Sequence, residues 1–78
     1  MDLKQTLTDI ARAIVDTPDA VCVEMNEDGD DVELVLTVAE DDTGMVIGRH
    51  GRIAKAIRSV MKAAAGNCGK KVNVEIKD

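Results

Sequence analysis

A chain of 78 residues with 45% apolar side chains and no Phe, Tyr or Trp has to build its core from Val, Ile, Leu, Met and Ala, and it leaves little room for an elaborate active site. The formal net charge of −5 conceals a division: residues through Asp42 carry thirteen acidic and two basic side chains, those from Thr43 onward two acidic and eight basic, so the positive field belongs to the second half. No apolar run approaches the roughly 18 residues of a membrane span, and the amino terminus lacks the basic-then-apolar pattern of a signal peptide, so a soluble, cytoplasmic protein is expected.

LKQTLTDIARAIVDTP places Leu3, Leu7, Ile10, Ala11, Ile14 and Val15 at the spacing of an amphipathic helix, with Asp2 to cap its start and Pro18 to help stop it. Period-two alternation follows on both sides of Asp28-Gly29. Val21, Val23 and Met25 precede the turn and Val32, Leu34, Leu36 and Val38 follow it, the pattern of a β-hairpin. EDDTGMVIG opens with acidic residues suited to a helix amino terminus and holds a short helix before Gly48. In the longer helix beyond it, Ile53, Ile57, Val60, Met61 and Ala64 form the expected buried stripe, and Gly66 is placed to end it. KKVNVEIKD alternates Val72, Val74 and Ile76 with polar residues, a half-buried strand. The expected order is α-β-β-α-α-β, an α+β fold in one domain over residues 1–78, with no internal repeat or linker.

Cys22 and Cys68 suit a reducing compartment, since a secreted domain of this size would carry a fuller framework; packing or a bystander thiol is expected of each. A zinc site needs four ligands at close spacing, which a chain with His50 as its only histidine does not offer, and no metal or other cofactor is expected. Glu24, Asn26, Asp28 and Gly29 can be laid on the start of a calcium loop, but that frame puts Val35 where a bidentate Glu belongs and strands where helices are required. GMVIGRHGR lacks the Gly-Lys-Ser/Thr ending of a nucleotide phosphate loop. No Ser, Cys or His dyad suggests a nucleophile, so no catalytic residue and no enzyme is expected.

The motif that remains is Gly48-Arg49-His50-Gly51 between the two helices. Glycine at each end lets the backbone turn sharply and come close to a ligand backbone, while the amides and positive dipole end of the following helix suit a phosphate. Arg52, Lys55, Ser59 and Lys62 fall on one face of that helix, beside its apolar stripe.

VIGRHGR, followed by RIAKAIR, resembles the I/V-I-G-x-x-G signature of the KH domain, whose GXXG loop clamps a nucleic-acid backbone. With the extra helix and strand at the amino terminus, the order resembles the type II KH arrangement, a three-stranded sheet packed against helices. The whole chain is similar to small single-KH bacterial RNA-binding proteins of the KhpA type. The resemblance implies a basic residue at position 45, where this chain has Met45. It also fits the missing aromatics, because a KH groove can hold bases in an aliphatic cleft, whereas RRM and most OB-type binders rely on stacking.

The expected function is non-catalytic binding of single-stranded RNA, about four nucleotides long, in post-transcriptional regulation or RNA chaperoning. The expected site comprises Gly48 and Gly51 for backbone access, Arg49, His50, Arg52 and Lys55 at the loop and its helix, and Val46 and Ile47 as apolar floor, with Ile53 adding to the cleft. The alternative is an interaction module in which the KH surface pairs with a second copy or another KH-domain protein and RNA is secondary. A homodimer or heterodimer is expected in either case, with Met45 and the exposed flank of the second long helix as contact and no membrane partner.

Overall fold

The computed structural model describes residues 2–77, and of Arg49 and His50 the backbone alone. Helix α1, Leu3–Ile14, starts where expected: the Asp2 side chain accepts a hydrogen bond from the Gln5 amide at 3.1 Å. Leu3, Leu7 and Ala11 are its buried face, with Ile10 and Ile14 packed against the same core. The helix ends before Pro18, which opens a 3-10 turn, Pro18–Ala20, that the apolar periodicity does not reveal.

Strands β1 (Cys22–Asp28) and β2 (Asp31–Thr37) pair antiparallel through a two-residue turn at Gly29 and Asp30. Strand β3 (Lys71–Lys77) lies parallel to β2, in the order β1-β2-β3, with Val32 opposite Val72, Leu34 opposite Val74 and Leu36 opposite Ile76. Parallel neighbours need a crossover. Helix α2, Glu40–Asn67, supplies it and packs on β3. The two helices expected around the glycine loop are therefore assigned as one stretch, divided internally at Gly51, where φ is 64°. The observed α+β architecture agrees with a KH fold.

The core is aliphatic throughout, with Leu7, Leu34, Leu36, Met61 and Val46 as its largest fully buried side chains. Two residues expected inside are exposed. Met25 faces the core side of β1 but sits on an edge strand, and Val60 lies at the margin of the α2 stripe and is 49% exposed. The end of α2 also differs from expectation. Gly69, at φ 71°, rather than Gly66 terminates it, with the Gly69 amide donating to the Gly66 carbonyl at 3.1 Å and the Lys70 amide to that of Ala65 at 2.9 Å. This is a Schellman cap, in which the residue beyond the helix takes the left-handed conformation. Cys22 and Cys68 are free and exposed, so packing explains neither. Among the described residues no helix is long and apolar enough to cross a membrane.

Candidate nucleic-acid interface

A φ of 64° is incompatible with continuing a right-handed helix, so the path of α2 breaks at Gly51. Such a break frees amide donors of the following turn from intrahelical partners. Upstream of it, Gly44, Met45 and Gly48 share one side of the helix. Together with Arg52 and Ile53 downstream they line a groove of about 360 Å³. A methyl group added at Gly44 or Gly48 would meet nothing within 4 Å, so packing inside the chain does not require either glycine. Each nonetheless costs about 1 kcal/mol of helix stability relative to Ala. What both leave is an open helix surface at the mouth of the groove.

The expected site residues separate by helical phase. Val46 is 1% exposed and belongs to the core, where it anchors the first segment of α2. Ile47 is 37% exposed but, at 100° per residue, falls outside the groove lining. The apolar floor expected of these two is supplied instead by Met45, 38% exposed, and by the half-buried Ile53. Arg52 lines the groove, and Lys55 is exposed nearly one turn further on. The side chains of Arg49 and His50 lie outside the described residues.

Sequence reasoning treated Asp42 only as one of several acidic residues near a helix start. It is 2% exposed, and its carboxylate accepts the Thr17 amide at 3.0 Å and the Asp16 amide at 3.3 Å. It thereby ties the first turn of α2 to the connection leaving α1, fixing the segment that carries Gly44 and Gly48. A lone Asp among Glu40, Asp41 and Asp42 gave no signal, since periodicity counts apolar positions.

The family model for the KH domain of KhpA and KhpB matches residues 4–76. The chain belongs to the KhpA/KhpB KH-domain family. Its relatives in that family include the RNA-binding protein KhpA of Clostridium acetobutylicum, 51% identical over 95% of this chain and 99% of that one. RNA-binding protein KhpA of Halalkalibacterium halodurans is 45% identical over 97% and 100% of the two chains, and that of Bacillus subtilis 42% over 97% and 94%. Among solved structures, Aquifex aeolicus Era matches with a TM-score of 0.61 at 21% identity, covering 97% of this chain and 31% of Era. A structure of Era with MgGDPNP and nucleotides 1506–1542 of 16S ribosomal RNA gives 0.63 at 21%, covering 97% and 30%. At that identity the likeness to Era is one of fold. The GXXG segment of this KhpA/KhpB-family chain thus sits at the break in α2, beside the groove lined by Gly44 and Gly48.

Proposed function

We propose that the chain is a non-catalytic binder of single-stranded RNA, acting as one KH unit in the cytoplasm. The observation that carries the reading is the groove at the Gly51 break, where two glycines with no packing role leave backbone exposed beside Arg52 and an aliphatic floor. Relatives named RNA-binding protein KhpA, similar along nearly their whole length, support it. In this reading the strand backbone lies against Gly48–Gly51, Arg49, Arg52 and Lys55 neutralise phosphates with His50 as a further loop contact, and bases rest on Met45 and Ile53. The role of Val46 is to hold the segment down, and Ile47 flanks the loop on its other side. Met45, standing where a cation was expected, gives up one phosphate contact and adds apolar surface to the groove.

An interaction role accompanies this one. Val60 and Met45 are both exposed, and large apolar side chains on a small acidic domain favour contact with a second KH surface, of this chain or of another protein. Pairing of two grooves would raise effective concentration on one RNA without any new contact to it. Regulation after transcription, or RNA chaperoning, is the matching cellular role.

The test is titration of single-stranded and duplex RNA with the parent and with the double variant Arg49→Asp, His50→Asp. The parent should bind the single strand and not the duplex, whose bases cannot enter the groove. The variant should lose the single strand while keeping its melting temperature. A folded variant that binds as the parent does overturns the loop assignment.

A further inference from the structure

The part of α2 that precedes the Gly51 break is fastened at two points. Among its described side chains Asp42 and Val46 alone are buried, 2% and 1% exposed, and at i and i+4 they lie one turn apart on one face. Gly44 and Gly48 fall in the same stretch, and a helical segment this short with two glycines does not hold itself together in water. Its place therefore depends on what it is fastened to. The Asp42 amide, the Thr43 amide and the Thr43 Oγ1 all donate to the Ala39 carbonyl, at the start of the segment itself. Among the described residues, the hydrogen bonds that leave the segment are the two accepted by the Asp42 carboxylate, Oδ1 from the Asp16 amide and Oδ2 from the Thr17 amide. Those amides belong to a turn that is itself fixed, because Val15 before it and Val21 after it are buried in the core. Asp16 and Thr17 are exposed and do not line the groove.

We infer that Asp42 is a positioning residue for the RNA groove, and that through it the exposed Asp16-Thr17 turn is coupled to RNA binding. The inference rests on the RNA-binding reading of that groove. Gly44, Met45 and Gly48 line it from before the Gly51 break, Arg52 and Ile53 from after it. With both Asp42 bonds made, the first set is held in a fixed place relative to the second. When they open, Val46 is the remaining anchor, the segment is free to pivot about it, and a bound strand has to order it again. RNA binds the closed arrangement more tightly, and by linkage it must hold the two bonds closed to the same extent. A side chain that never meets RNA thus sets affinity, and a turn outside the groove becomes a place from which affinity can be changed.

RNA titration and amide hydrogen exchange test the two halves, with single-stranded RNA of random sequence and about four nucleotides as the probe. Asp42→Ala should weaken binding about five-fold or more, and saturating RNA should slow exchange of the Asp16 and Thr17 amides in the parent by the same factor. The Gln5 amide is the internal reference. It too is bonded to a carboxylate, that of Asp2, but at the other end of α1, and its exchange should not change. In folded Asp42→Ala, RNA should no longer slow Thr17. Val23→Ala, which removes core packing under β1 away from the groove, should bind RNA as the parent does and so separates position from stability. An Asp42→Ala protein that binds as the parent does, unchanged Thr17 exchange in the parent, or equal weakening by Val23→Ala overturns the inference while the loop reading stands. Slowing of Thr17 that persists in Asp42→Ala also overturns it, since RNA would then touch the turn directly. If that variant does not fold, exchange in the parent decides alone. Failure of the parent to bind the strand overturns the loop reading and this inference with it.

Discussion

Asp42 and Thr17 are 25 residues apart in sequence, yet the buried Asp42 carboxylate accepts the Thr17 backbone amide at 3.0 Å. No cation joins them among the described hydrogen bonds and ion pairs; backbone donors satisfy the carboxylate. Asp42→Ala leaves the Thr17 and Asp16 amides without their partner, a loss of about 1–3 kcal/mol. In a domain of this size each kcal/mol is about 4–8 °C in Tm, so thermal unfolding followed by circular dichroism should show a clear drop. A Tm equal to the parent's would mean that the carboxylate does not hold α2 in place.

Gly48 gives a test in which stability and binding move in opposite directions. Its φ is not positive and a methyl group there meets nothing, so Gly48→Ala should stabilise the helix by about 0.5–1 kcal/mol. The same methyl stands at the mouth of the groove, and affinity for single-stranded RNA should fall several-fold. Denaturant unfolding and RNA titration on one preparation check both. A gain in stability with unchanged affinity removes Gly48 from the interface.

Gly51 behaves differently because its φ of 64° is the left-handed conformation. Gly51→Ala should cost about 1–2 kcal/mol from backbone strain alone, since a methyl there too meets open space. The pair of alanine variants thus has opposite signs in stability, measurable by denaturant midpoints.

Salt should weaken RNA binding moderately. Two to four phosphate contacts at the loop predict a slope of roughly −1.4 to −2.8 for a short strand above about 0.1 M salt. A slope near zero in a titration series would assign the affinity to the aliphatic floor.

Val60, exposed on the flank of α2, should report on pairing. Val60→Lys leaves the core untouched and should leave the unfolding free energy within about 0.5 kcal/mol of the parent's, while shifting a dimer toward monomer in light scattering after size exclusion. An unchanged mass for a dimeric parent would place the contact elsewhere, and a monomeric parent would remove the pairing proposal for this chain alone.

Chain order and helix faces were legible in the sequence because alternation in β1, β2 and β3 and the 3.6-residue spacing in α1 are set by burial, which apolar side chains report directly. The GXXG segment was legible for a different reason: glycines have few roles inside helices. The failures occur where burial and residue type disagree. Asp42 is polar and buried, Val60 and Met25 are apolar and exposed, and no alternation rule distinguishes an edge position from a central one. Gly66 and Gly69 are both able to end a helix, and only the actual dihedral identifies Gly69. Val46 and Ile47 are adjacent, so a motif quoted as a string cannot say that one is buried in the core and that neither lines the groove.

The hairpin tip lies beside the far end of α2, well beyond the Gly51 break, because β3 starts beside Asp30 and runs back along the helix. A negative pole and a positive pole are thus set apart on a body 34 Å long. At about 0.01 M salt the screening length, roughly 30 Å, is comparable with that axis, and an approaching RNA feels the whole charge of −5. At physiological salt, where it is roughly 8 Å, the RNA feels only the end it meets. Collision is then selected by orientation, with the loop end admitted and the hairpin end turned away, and the association rate should pass through a maximum as salt is raised rather than fall from the start.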